Sequence, residues 1–512
     1  MSDNFPPPPP PEEQPPPRRS GATGWKVATA AASVLAVALA GTVYVLMDQR
    51  VDEMRAERDA ARDELDAARE EGDGGLGGLE DLLGESGLGD LDLGDLGELL
   101  GGGSVDPILF ECLASGGGLG LGGSGDSIPD GPVEEQVAAI QDIIESERGL
   151  QAGDDVDIEF VSRDEVRKRA VAITEAELDP ATAEVDARLL SALGAVEPGT
   201  DLAQAQLDAL DAGVGGFYDP ESGELVIGSE QMDGLGALIT SHELVHAMAD
   251  AELGLPDQEA IAEALGSDAA YAALNVVEGD ASLYSQQFIG RHLPFDELLA
   301  LQATSGQTAA DLDELPHFVA RQLEFPYIEG MTFTCDVFLD GGWEAVDATY
   351  SELPTTTAQI LFPDRYRDGQ DAVDVRDPAG PSGWDRLRTD TFGAADLLFL
   401  LEAPGDDEDA ALSEPKDRVS AWAGGEITVW GRDEASAAAL ILADGGGATP
   451  LCDTIDEFYA AAFPDAERSE SGDETVFDGS DQDAVLTCSG DEVALGTGPD
   501  VETARAAVTS TP

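Results

Sequence analysis

Ser241-His242-Glu243-Leu244-Val245-His246 contains two of the four histidines in this 512-residue chain, and its spacing decides how the remainder is read. Residues i and i+4 project from one face of an α-helix, so two imidazoles placed this way can share one divalent cation at about 2.0–2.1 Å. Glu243, beside the first histidine, is then placed to take a proton from a water at that cation. Met232, Leu235, Leu238 and Ile239 lead with helical spacing into Leu244, Val245 and Met248, and Gly254 and Pro256 supply the stop. The pattern predicts a helix with an apolar face in a core and both histidines on a cleft. The other reading is an amphipathic helix bearing two solvated histidines.

A tetrahedral catalytic zinc takes three protein ligands and keeps one position open, which calls for a third residue from elsewhere. Glu278 is the candidate, in Val276-Val277-Glu278-Gly279-Asp280-Ala281, inside a second apolar-periodic stretch from Ala269 to Phe288. The two valines before it predict burial, and a buried carboxylate needs a partner; an exposed helix glutamate is the alternative. Asp250, one turn past His246, is the candidate acceptor for that ring's other N–H. Asp280 lies only two residues from Glu278 and points elsewhere on a regular helix. Phe217 to Gly228 reads as a hairpin turning at Asp219-Pro220-Glu221-Ser222-Gly223. Its returning strand, with Val226 and Ile227, is placed either to border the cleft, where an extended peptide adds, or only to pack in a sheet.

Taken together, these segments resemble the gluzincin-type zinc metallopeptidases, distantly the thermolysin-like ones, and more closely a bacterial and archaeal family of largely uncharacterised metallopeptidase-like proteins. The matching segments are Gly216-Phe217-Tyr218-Asp219-Pro220, the His242 to His246 motif with Asp250, and Glu278-Gly279-Asp280-Ala281. They continue through Phe325-Pro326-Tyr327-Ile328-Glu329-Gly330, Gly341-Gly342-Trp343 and Thr355-Thr356-Thr357-Ala358-Gln359-Ile360-Leu361. The resemblance implies a zincin-like domain that hydrolyses peptide or protein substrates, with His242, His246 and Glu278 on Zn²⁺ and Glu243 as general base. It also makes Tyr327 the first choice to steady an oxyanion, ahead of His317 and His292. Phe362 stands where the family usually carries a histidine, and loss of one oxyanion contributor costs about 10²–10³ in rate. The second functional class is therefore a catalytically impaired surface binding or regulatory protein.

Composition divides the chain. Residues 1–24 are a Pro-rich tail, too poor in apolar side chains to fold and expected on the cytoplasmic side. Within 25–47, the run Val27 to Met47 is uncharged and mostly apolar, and as a helix it spans about 31 Å, enough for a bilayer core. This predicts a single-pass signal-anchor in the cell membrane with the catalytic part outside; a cleaved signal peptide is the rival. Residues 48–71 keep a short heptad rhythm, a stalk helix with coiled-coil character. Residues 72–131 are a Gly-, Leu- and Asp-rich tether. The expected fold class is α+β: a mainly helical zincin-like domain with a small edge sheet over 132–375, then a smaller α+β lobe over 376–512.

With 105 acidic against 26 basic residues the formal net charge is −79, which excludes nucleic acid and anionic membrane surfaces as partners. Cys112, Cys335, Cys452 and Cys488 all follow the apolar run, an even number suited to an oxidising compartment. Cys452 with Cys488 and Cys112 with Cys335 is the expected pairing, with free buried thiols as the alternative.

Overall fold

The computed structural model describes residues 107–115, 128–151 and 157–509, except 221, 230–231, 295–296, 299, 302–314, 434, 473 and 481. In chain order its helices are α1 (Pro107–Ser115), α2 (Val133–Glu147), α3 (Arg163–Glu177), α4 (Pro180–Leu193), α5 (Leu202–Gly213), α6 (Gly234–Glu252), α7 (Gln258–Leu265) and α8 (Ser267–His292). They continue as α9 (His317–Thr349), α10 (Thr357–Leu361), α11 (Pro363–Arg367), α12 (Ala394–Glu402), α13 (Pro415–Val419), α14 (Leu451–Ala462) and α15 (Val501–Ala507). Strands β1 (Asp157–Phe160), β2 (Gly216–Asp219) and β3 (Glu224–Ile227) form a small sheet in the order β1-β3-β2. A second sheet joins β4 (Asp385–Thr391), β5 (Trp422–Arg432), β6 (Ala435–Asp444), β10 (Glu492–Gly498), β9 (Asp483–Ser489), β8 (Glu474–Asp478) and β7 (Glu467–Ser471), in that order and all antiparallel. The architecture is mixed α+β, as expected.

The motif helix starts where Asp233 accepts a hydrogen bond from Gly236 N and ends before Gly254, whose φ of +78° suits glycine. Its surroundings differ from the expected single apolar face. Every residue of α6 from Gly234 to Ala249 is buried, and every residue of α8 from Asp268 to Gly290 as well. Helices enclosed on all sides belong to the interior of a large core. That core is continuous, running from Leu225 and Leu238 through Tyr284, Phe325 and Leu398 to Ile427, Leu440 and Leu495.

Backbone contact sets how α8 and α9 cross. A Cβ at Gly279 would lie 2.3 Å from Gly330 O, and one at Gly330 would lie 2.7 Å from Asn275 O. Only paired glycines allow this approach, and it fixes Glu278 on one helix relative to Tyr327 on the other.

Two expectations are corrected here. Val226 and Ile227 do not border an open cleft: β3 is the middle strand, parallel to β1 and antiparallel to β2, and both residues have 0 % exposure. The reason is β1, four residues too short to stand out in the sequence, which occupies the side that an added peptide would need. The single-pass membrane placement is also withdrawn, because no described helix is long and apolar enough to cross a membrane. The tail, the run Val27 to Met47 and the stalk all lie outside the described residues. Within the stretch read as a tether, Pro107–Ser115 is helical; its Leu109 and Leu113 pack on Leu283 and Met331, and Cys112 is joined to Cys335. The second disulfide is Cys452–Cys488, so both expected pairs form.

Candidate metal centre

His242 and His246 are four residues apart on α6, and Glu278 reaches them from α8. The two Nε2 atoms are 3.0 Å apart, and Glu278 Oε2 lies 3.3 Å from the first and 3.4 Å from the second. Exposure is 0 % for His242, 6 % for His246 and 1 % for Glu278, so the three donors meet away from solvent. A tetrahedron with bonds of about 2.0–2.1 Å has edges of about 3.3–3.4 Å, and the triangle of donor atoms matches one face of it. Glu278 Oε2 is buried and accepts no hydrogen bond of good geometry despite this proximity. A buried carboxylate oxygen facing two ring nitrogens is chemically incomplete without a shared cation, and this group could hold a metal ion.

The electrostatics point the same way. Burial alone would lower the pKa of His246, but the Glu278 carboxylate, helped by Glu243 and Asp280, outweighs it and lifts the value to about 9. For Glu278, burial pushes upward and the two imidazoles push further down, to about 2. A proton on His246 thus occupies the role that a metal would take, and metal and proton compete for the site.

Glu243 is 1 % exposed and follows His242 on α6. The start of the edge strand β2 passes beside it: a Cβ at Gly216 would meet Ile239 at 2.7 Å and Val226 O at 2.9 Å, with Glu243 Cγ 3.5 Å away. Tyr327 stacks on His242, with ring centroids 6.2 Å apart and planes 29° from parallel. Its buried hydroxyl makes no well-formed hydrogen bond. Burial, then the negative charges of Glu278 and Glu243, hold its pKa well above the ordinary value, so it stays a neutral donor.

Other candidates are placed elsewhere. Asp250 does not support His246: its carboxylate accepts from Tyr218 Oη at 2.8 Å and Leu255 N at 3.3 Å, while both ligand rings have buried Nδ1 atoms with no hydrogen bond. Asp250 therefore ties β2 to the end of α6. His317 sits between Glu408 (3.0 Å) and Glu402 (3.3 Å), and His292 sits 3.1 Å from Glu147. Neither histidine belongs to the cluster. Phe362 lies under the Arg365 guanidinium, 5.2 Å from its ring centre, between α10 and α11.

Sequence reasoning missed Arg148. Its guanidinium, 0 % exposed, donates to both Asp280 oxygens at 2.8 Å, contacts Asp347 at 2.7 Å and lies 4.6 Å over the Trp343 ring. Tyr350 Oη donates to Asp280 Oδ2 at 3.0 Å. Nothing local marks Arg148 in the sequence; its only signal is its rarity as a base in so acidic a chain.

Comparison of the chain with protein families, with known proteins and with solved structures gives no match.

Proposed function

We propose that this chain is a zinc-dependent metallopeptidase of gluzincin type that hydrolyses bonds in peptide or protein substrates. One observation carries the reading: the donor atoms of His242, His246 and Glu278 converge to 3.0–3.4 Å in the interior, with Glu243 next to His242 on the same helix. Two imidazoles and one carboxylate are a donor set suited to zinc, and three protein ligands are the number that a catalytic ion takes, whereas a closed structural site takes four. Zinc, when bound, supplies Lewis acidity that polarises a carbonyl and acidifies water.

The chain's own residues do the rest. Glu243 takes a proton from the attacking water and returns it to the leaving amine. Tyr327, kept neutral by its surroundings, donates to the oxyanion that develops on the scissile carbonyl. The edge strand β2, which passes Glu243, is the side of the small sheet on which an extended peptide can add, in place of the β3 edge expected from the sequence.

Metal analysis and peptide cleavage, run in parallel on the wild type and Glu243→Gln, test this. One zinc per chain in both proteins, with cleavage in the wild type alone, is the expected result. Zinc-loaded wild type that cleaves no member of a broad peptide library would replace the enzyme with a binding protein. Absence of stoichiometric zinc from both would remove the metal reading altogether.

A further inference from the structure

We propose that a second site, separate from the metal cluster, binds an alkylammonium group in the cavity between α4, α5, α8 and α9 and the strands β4 and β5. The cavity has a volume of about 150 Å³. That is roughly five water volumes, room for a short aliphatic amine and more than a bare ion needs. Leu189, Leu193, Phe318, Phe392 and Ile427 give it apolar walls, and Asp186, Asp268, Asp390, Asp396 and Arg388 supply its charge. These charges do not balance. Arg388 is committed to Asp186 and Asp390, the latter at 2.7 Å, which leaves Asp268 and Asp396 without an ion pair among the described residues.

The hydrogen bonds that those two carboxylates receive each spare an oxygen. Thr357 N (3.2 Å) and Thr357 Oγ1 (2.5 Å) both donate to Asp268 Oδ1, and Gly393 N donates to Asp396 Oδ2 at 2.9 Å. Asp268 is only 6 % exposed and lines the cavity, and both hydrogen bonds from Thr357 go to Oδ1, so a positive group in the cavity can take Oδ2. Burial pushes both carboxyls up, Asp268 to about 6 against the Thr357 hydrogen bonds and Asp396 to about 7 against the Gly393 one. A primary ammonium offers three donors to divide between the two aspartates, and its alkyl body suits the leucine and phenylalanine walls. A free amine and a lysine side chain share this chemistry.

Calorimetric titration of the full chain with n-butylamine hydrochloride at about pH 8, beside n-butanol and sodium chloride, tests the site. The amine should bind and the other two should not. Asp268→Asn and Asp396→Asn should each weaken it by about tenfold or more while zinc content stays unchanged. An acetylated, amidated lysine that binds as well as the amine assigns a peptide side chain as occupant, and butylamine binding alone assigns a free amine. Equal binding of butanol, insensitivity to both substitutions, or no heat at about 10 mM amine would overturn the proposal.

Discussion

Arg148→Met removes the arginine that pairs with Asp280, and the structure sets the size of the effect. Both partners are 0 % exposed in their side chains, and the bidentate contact is 2.8 Å on each arm. Burial disfavours the charged guanidinium, yet Asp280 and then Asp347 outweigh it, so Arg148 is held ionised more firmly than in water. Methionine fills the stem's volume but leaves the Asp280 carboxylate buried, with the Tyr350 hydroxyl still donating to it. Removing one member of a buried ion pair costs about 3–5 kcal/mol, mostly for stranding the other charge. Adding Asp280→Asn removes that stranded charge and should recover most of the loss, leaving the double variant within about 1–2 kcal/mol of wild type. Urea unfolding of the wild type, both single variants and the double variant, all metal-free at neutral pH, measures the cycle. A single-variant loss under about 1 kcal/mol, or a double variant weaker than Arg148→Met, would refute the reasoning.

Asp268→Asn should change stability in a pH-dependent way. The folded carboxyl titrates at about 6 against an ordinary 3.8, so wild-type stability falls as pH rises between these values; the variant, which keeps the Thr357 hydrogen bonds, should match wild type below about pH 4 and gain on the order of 2–3 kcal/mol above about pH 6. Thermal melts at both pH values check this, and an equal gain at both would refute it. Gly279→Ala should force α8 from α9, because the new Cβ would sit 2.3 Å from Gly330 O; a cost of about 1–3 kcal/mol in denaturant titration and weaker zinc retention in dialysis are expected. Replacing Cys452 and Cys488 together by serine opens a bridge with a sequence separation of 36 and should lower stability by about 4 kcal/mol, read from the urea midpoint with and without reductant.

The metal cluster was legible because its information is local. The i, i+4 spacing of His242 and His246 needs only a helix, and Glu278 stood out as an acid beside two valines. What surrounds the cluster was not legible. Thr240, Ser241, Asn275, Ser282, Gln286 and Gln287 read as polar positions on half-exposed helices, yet all six are buried. Two of them bond back to their own helix, Ser241 Oγ donating to Leu238 O and Asn275 Nδ2 to Tyr271 O, as the buried Ser285 Oγ does to Ser282 O. Such back-bonding lets a polar residue enter a core without changing the hydrophobic period that a reader counts. The place of β3 was lost for a different reason. Ile158 pairs with Leu225 across a long stretch of sequence, and the turn chemistry that revealed the β2–β3 hairpin carries no information about such a parallel partner.

Charge allocation links the two sites. In a chain with so few bases, three arginines each serve more than one acid: Arg148 holds Asp280 and Asp347, Arg321 holds Glu329 and Glu402, and Arg388 holds Asp186 and Asp390. Among the described residues four acids are almost wholly buried, namely Glu243, Asp268, Glu278 and Asp280, and of Asp268, Glu278 and Asp280 only Asp280 pairs with a described arginine. Glu278 faces two imidazoles, and Asp268 faces the cavity. Such an allotment leaves Glu278 and Asp268 without an arginine among the described residues, and a cation bound beside either would stabilise the fold. The energetic signature follows: zinc should stabilise through the first and an ammonium through the second. Because the two sites have no lining residue in common, their contributions should add.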